Sequence, residues 1–238
     1  MTEISSPDQR LKQIMATDAP LSQKLAQVLA MGKQMVPAEL LQQLLSPVEM
    51  LRANKAAERA LQEGEKVPDF TLPDALGNSV TLTQLLGQGP VVITFYRGSW
   101  CPYCNIQLHA YQQVLPQLKE LGASLVAISP QTPDQSLSLA EKQALTFAVL
   151  SDAGNRVARK FGLVFTIDEA VRAAYRQINA DLSAFNGDGS WELPMAGTFL
   201  VDRDGTIRLA FVDPDYTRRL EPSIIIASLK KLRNAQSS

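Results

Sequence analysis

One stretch constrains this chain more than any other: Val91-Val92-Ile93-Thr94-Phe95-Tyr96-Arg97-Gly98-Ser99-Trp100-Cys101-Pro102-Tyr103-Cys104. An apolar run ends at a Gly-Ser turn, and the chain's two cysteines follow, separated by two residues. A helical pattern continues from Pro102. Buried strand, turn, Cys-x-x-Cys and helix together make the arrangement of a dithiol/disulfide site.

If the helix starts at Cys101, Pro102 falls in its first turn, where a missing N–H costs nothing. Cys101 then faces the unpaired N–H groups and the positive dipole end of that helix, which favours a thiolate, the attacking species. The sequence therefore predicts a lowered pKa and a solvent-reachable sulfur at Cys101. Cys104 lies one turn on, within reach for an internal disulfide. In the expected cycle Cys101 attacks a substrate disulfide and Cys104 resolves the mixed disulfide. Two other readings stay open for the pair: buried small side chains, or half of a zinc site. Zinc needs further ligands, and His109, the single histidine, supplies at most one. No metal and no bound cofactor are expected.

The neighbours of the cysteines are candidate substrate-binding residues. Arg97 either lowers the thiolate pKa by charge or is a solvated strand-end residue. Trp100, Pro102 and Tyr103 either form an apolar rim that receives a partner's peptide or simply pack. His109 reads as a surface or packing residue on the helix.

A net charge of −1, with no long run of one sign, argues against nucleic acid and anionic membrane as partners. No apolar run approaches the ~20 residues that cross a bilayer. The first nine residues lack the basic and apolar regions of a signal peptide. The expectation is a cytoplasmic protein whose dithiol is kept mostly reduced.

Residues 1–62 read as a helical N-terminal extension. Leu21, Lys24, Leu25, Val28 and Leu29 form one stripe, with Thr17 or Asp18 as cap and Gly32 and Pro37 as breakers. Leu40, Leu41, Leu44 and Leu45 form a second, Ser46-Pro47 punctuates it, and a third helix runs from Val48 to Gln62. This layer packs on the main domain, forms part of a homodimer interface, or covers the active site.

Residues 63–238 form the second unit. Strands are expected over 70–80 as a hairpin, at Val91–Tyr96, Ser124–Ser129 and Phe147–Leu150, and in a late hairpin about Arg203-Asp204-Gly205. One long helix, from Pro102 to Leu121 with Pro116 inside, joins the central strand to the next, so that pair should be parallel. Capping boxes at Thr132 and Thr166 open helices to about Leu145 and Leu182. Residues 163–192 look inserted, and Pro222 begins a last helix to about Leu232.

Four stretches carry a resemblance: Val67-Pro68-Asp69-Phe70, the run from Phe95 to Cys104, Ala127-Ile128-Ser129-Pro130, and the run from Gly197 to Gly205. Through them, residues 67–232 resemble the peroxiredoxin-like (redoxin, AhpC/TSA-type) branch of the thioredoxin-fold superfamily. The resemblance implies an α/β thioredoxin-like fold, a central mixed sheet with helices on both faces, with the cysteines at the first helix start. Peroxide-reducing members look like Pro-x-x-x-Thr/Ser-x-x-Cys, with an arginine just before the late strand. With Cys104 at the peroxidatic position, Cys101 takes the threonine position and Arg97 the proline position. With Cys101 there, Gly98 and Thr94 take them. Ala196 occupies the arginine position in both alignments. Thioredoxin folds also place a cis-proline beside the dithiol, where this chain has Ala196 and, two residues earlier, Pro194.

The expected activity is therefore thiol:disulfide oxidoreduction on a disulfide-bearing protein or small thiol, with a thioredoxin- or glutathione-type electron donor. A thiol-dependent peroxidase is the alternative, and a non-catalytic thioredoxin-fold binding protein the second. The stretch Asp213–Arg219 either holds the last helix or lines the pocket.

Overall fold

All five side chains of Val91–Phe95 are buried, as a largely apolar strand covered on both faces requires, and the segment is the middle strand of a five-stranded sheet. The structure is a computed structural model that describes residues 6–236. Three helices lead in: α1 (Pro7–Met15), α2 (Leu21–Met35) and α3 (Ala38–Ala53). Then come β1 (Thr71–Pro73), β2 (Ser79–Thr81), α4 (Leu82–Gln88), β3 (Val91–Phe95), α5 (Pro102–Glu120), β4 (Ser124–Ser129), α6 (Pro133–Gln143), β5 (Ala148–Ser151) and α7 (Arg156–Lys160). Last are β6 (Val164–Thr166), α8 (Glu169–Gln177), α9 (Leu182–Asn186), β7 (Glu192–Pro194), β8 (Gly197–Val201), β9 (Ile207–Val212) and α10 (Pro222–Gln236).

The sheet order is β5-β4-β3-β8-β9. β3 pairs parallel with β4 and antiparallel with β8, with Thr94 opposite Ala127 on one side and Thr198 on the other. The expected mixed sheet with helices on both faces is present. Val92, Leu125, Ala127 and Leu200 meet α5, α2 and α10 on one face. Val91, Ile93, Phe95, Val126 and Ile128 meet Leu82, Leu86, Val157 and Phe161 on the other. There Phe161 packs at 4.9 Å from Phe95 and 5.2 Å from Phe199, ring centre to ring centre. The stretch that looked inserted forms a separate small sheet, β6 against β7, with α8 and α9. Its apolar cluster includes Tyr175, Trp191 and Leu193 and takes in Leu44 of α3.

Several local expectations change. Ser46-Pro47 does not end a helix. Pro47 cannot donate to the Gln43 carbonyl, and the Ser46 hydroxyl does so instead at 2.8 Å. The buried stripe Leu44, Pro47, Val48 and Leu51 therefore runs on through one helix. Gly32 lies inside α2. The N-terminus of α2 is capped by neither Thr17 nor Asp18. The Glu221 carboxylate accepts from Leu21 N at 3.1 Å and Ser22 N at 2.7 Å, tying the first helices to the last. Thr132 makes no side-chain cap, and α8 is capped by Asp168, which accepts from Ala170 N at 2.9 Å, rather than by Thr166. The helix expected to reach Leu182 stops at Gln177, before Asn179 at φ +58°, and Asp181 caps α9. Among the described residues no helix is long and apolar enough to cross a membrane.

Candidate active site

β3 leads straight into the site. Gly98 has φ +149°, and a Cβ there would lie 2.4 Å from Trp100 Nε1, so the turn requires glycine. Cys101 N donates to Gly98 O at 3.1 Å, and Cys101 is the N-cap of α5 with Pro102 in the first turn. The loop is pinned from outside. Gln131 accepts from Ser99 N at 2.7 Å and donates to Ser99 Oγ at 3.0 Å, while Asn105 Nδ2 donates to Ser99 O at 2.9 Å.

Both cysteines are free thiols, and both are buried: Cys101 is 1% exposed and Cys104 0%. The reachable sulfur expected at Cys101 is therefore absent. Cys104 Sγ accepts from Arg97 N at 3.4 Å and from Arg219 Nη2 at 3.5 Å, and takes a hydrogen bond from the Cys101 thiol. Arg97 Nη1 lies 3.7 Å from Cys101 Sγ. Burial opposes both thiolates. At Cys104 the Cys101 hydrogen bond, the Arg219 and Arg97 charges and the Arg97 N–H outweigh it and hold the thiol well below its usual range. At Cys101 burial and the neighbouring Cys104 push the thiol well up. Two sulfurs in contact share one negative charge. The sequence placed that charge on the N-cap residue; the donors converge on the residue one turn later.

Arg97 is 3% exposed and Arg219 6%. The Arg97 guanidinium carbon lies 3.8 Å from the centre of the Tyr216 ring and 4.8 Å from that of Trp100, and its Nη2 donates to Tyr175 Oη at 2.6 Å. It is not the solvated strand-end charge. Arg219 Nε donates to Gln107 Oε1 at 2.7 Å, and its Nη1 donates to the carbonyls of Arg218 and Tyr216. Gln107 donates in turn to Thr94 Oγ1 at 3.1 Å and Thr198 Oγ1 at 3.3 Å, joining the cation to the two central strands. Among the described residues neither arginine forms a salt bridge with a carboxylate.

Trp100 and Tyr103 pack rather than line an open rim. Trp100 meets Tyr175 edge-on at 5.7 Å, and Tyr103 meets Tyr216 edge-on at 5.6 Å. Pro194 is trans and, with Ala196, borders a narrow cleft over Arg97 with room for about one water. The opposite wall is Pro47, Val48 and Leu51 of α3, and Pro214 and Tyr216 close one side. His109 meets Gln113, one turn along α5, at 3.3 Å. Among the described residues no group of three or more His, Cys, Asp or Glu side chains is placed to hold a metal.

Sequence reasoning did not single out Gln107, Tyr175, Tyr216 or Arg219. Gln107 had a signal, standing three positions after Cys104 on the same helix face. Arg219 and Tyr216 lay in a stretch marked without a role. Tyr175, in the inserted segment, had none.

The family model described as the AhpC/TSA family matches residues 64–210. Peroxiredoxin Bcp of Escherichia coli (strain K12) is 31% identical over 153 residues, 64% of this chain and 86% of that protein. The chloroplastic peroxiredoxin Q of Gentiana triflora is 30% identical over 151 residues, 63% of this chain, and the match spans 59% of the Gentiana protein. The crystal structure of the peroxidoxin BcpB from Mycobacterium tuberculosis superposes with a TM-score of 0.57 at 24% identity, covering 72% of this chain and 97% of that one, and so shares the fold. The α3 wall, the 214–216 edge and Arg219 all lie outside the matched segment.

Proposed function

Because this chain belongs to the AhpC/TSA family, we propose that it is a thiol-dependent peroxidase in which Cys104, rather than Cys101, attacks a hydroperoxide. One observation carries the reading: the fully buried sulfur of Cys104 accepts from the Arg219 guanidinium and from the Arg97 backbone N–H, and among the described residues neither arginine forms a carboxylate pair. A two-oxygen oxidant is far smaller than a folded protein's disulfide and needs the least opening of the fold to reach such a sulfur.

Two of the three family positions at which this chain departs have a functional substitute, while the proline position holds Arg97. Cys101, at the threonine position, donates its S–H to Cys104. Arg219, arriving from the far end of the chain, replaces the arginine that Ala196 lacks.

The Cys104 thiolate attacks the terminal oxygen of R–O–O–H. The S–O bond forms, the O–O bond breaks, and RO⁻ leaves, taking a proton from solvent to become the alcohol, or water when R is hydrogen. Cys104 is left as a sulfenic acid. Arg97 and Arg219 stabilise negative charge as it moves from sulfur to the departing oxygen. The Cys101 thiol then attacks the Cys104 sulfur. An S–S bond forms, and hydroxide leaves with the Cys101 proton as water. One dithiol of thioredoxin type, or two molecules of a glutathione-type thiol, supply two electrons and two protons to restore the pair and leave as the donor disulfide.

Peroxide consumption driven by dithiothreitol, run beside insulin disulfide reduction, tests the assignment. The expected result is peroxide turnover that disappears in Cys104→Ser, with insulin reduced no faster than by dithiothreitol alone. Insulin reduction without peroxide turnover restores the disulfide-reductase reading.

A further inference from the structure

We infer that Arg97 serves the second sulfur: its guanidinium, held in place by the Tyr175 hydroxyl, stabilises the Cys101 thiolate that closes the disulfide once Cys104 has been oxidised. This rests on the peroxidase reading and gives Tyr175 a positioning role in its resolving step.

The two sulfurs have separate guanidiniums. Arg219 Nη2 meets Cys104 Sγ at 3.5 Å. Arg97 makes its hydrogen bond to Cys104 through the backbone N–H and points Nη1 at Cys101 Sγ, 3.7 Å away. In the reduced protein Cys104 carries the charge and Cys101 donates to it. Burial, together with the accepting bond and the charge of Cys104, keeps Cys101 protonated in that state. Conversion of Cys104 to a neutral sulfenic acid removes both Cys104 contributions, while the Arg97 and Arg219 charges, which favour a Cys101 thiolate, remain. Two buried cations without a carboxylate favour an anion between them, and oxidation moves that anion from Cys104 to Cys101. The Cys101 thiolate attacks the Cys104 sulfur. The S–S bond forms, the S–O bond breaks, and the departing hydroxide takes up the proton that Cys101 released, as water.

The Arg97 cation is fixed without being neutralised. Its Nη2 donates to Tyr175 Oη at 2.6 Å, and the guanidinium carbon stands 3.8 Å from the centre of the Tyr216 ring and 4.8 Å from that of Trp100. Cys101 is faced by Cys104 and Tyr103 on α5, Tyr175 on α8, Tyr216 and Arg219 in the C-terminal segment, and Arg97. Burial pushes all three phenols above their usual range, so they stay neutral and leave the charge of Arg97 to the sulfur. The planar fork explains why the cation is an arginine: one arm bonds Tyr175 while the other faces Cys101, which the single ammonium of a lysine does not reproduce. Tyr175 belongs to the small β6–β7 unit, which thereby contributes one hydroxyl to the site.

The test treats the reduced full-length protein with a stoichiometric amount of hydrogen peroxide, quenches it in acid at intervals, and reads sulfenic acid and disulfide by intact mass across a range of pH. Disulfide closure should quicken as pH rises through the Cys101 titration. Tyr175→Phe should slow closure by about tenfold at neutral pH and move its pH midpoint up. Sulfenic acid formation should change far less, because Arg219 and the Arg97 N–H still face Cys104. Arg97→Lys keeps a cation and the N–H, should move closure the same way, and covers the case in which the phenylalanine variant does not fold. A folded variant with an unmoved midpoint, or one that slows both steps equally, overturns the inference while leaving a peroxidase. Absence of sulfenic acid in the wild-type protein removes the peroxidase reading and the resolving role together.

Discussion

Arg219 Nη2 reaches Cys104 Sγ across 115 positions of sequence, at 3.5 Å. The contact joins the end of the chain to the first turn of α5, and Gln107 fixes its angle by accepting from Arg219 Nε at 2.7 Å. Arg219→Met should therefore raise the Cys104 pKa and slow peroxide attack by about 10²-fold, the usual cost of one lost charge-stabilising donor. The pH dependence of thiolate absorbance and the oxidation rate check it. A variant with an unshifted thiol would mean that Arg97 holds the charge alone.

Gln107→Leu removes the anchor and keeps the cation. The expected effect is in the same direction and smaller, roughly tenfold in rate, with a matching upward move of the Cys104 titration. A stability loss with an unchanged titration would reduce Gln107 to a packing residue.

The depressed Cys104 pKa makes the reduced protein's stability depend on pH. The unfolded thiol titrates near 8.5, so below that value the unfolded chain holds more protons than the folded one, and stability rises with pH. The contribution is complete above the unfolded pKa and is lost as pH falls through the folded Cys104 value. Urea midpoints between pH 6 and 8 should climb more steeply for the wild-type protein than for Cys104→Ser. Parallel curves would show that the thiolate is not stabilised by the fold.

Gly162 couples the turn after α3 to the core. Its φ is +71°, and a Cβ there would lie 2.1 Å from Arg59 O. Gly162→Ala should cost about 3 kcal/mol, from left-handed backbone strain and displacement of that carbonyl. Urea denaturation measures it, and the peroxide chemistry of the folded fraction should be preserved.

The sheet was legible because its signals are local. Val91–Phe95 is apolar but for Thr94, Arg203-Asp204-Gly205 is a turn, and one long helix between β3 and β4 forces a parallel crossover. The cysteine positions were legible for the same reason: Pro102 marks the helix start. The division of labour between the sulfurs was not. It depends on Arg219 and on the Arg97 backbone N–H, which meet Cys104 only after the chain has folded. Burial of the pair was hidden as well, because Tyr216 and Arg219, more than a hundred positions away, pack against it. The continuity of α3 through Pro47 turned on one hydroxyl, Ser46, taking the carbonyl that proline leaves.

The central claim is that Cys104 carries the first oxidation. Cys101→Ser and Cys104→Ser proteins, each oxidised with a stoichiometric amount of hydrogen peroxide and then unfolded in denaturant that contains dimedone, report it by peptide mass spectrometry. The account predicts a dimedone adduct on Cys104 in Cys101→Ser and no adduct in Cys104→Ser. An adduct on Cys101 in Cys104→Ser, with Cys104 unmodified in Cys101→Ser, would contradict it.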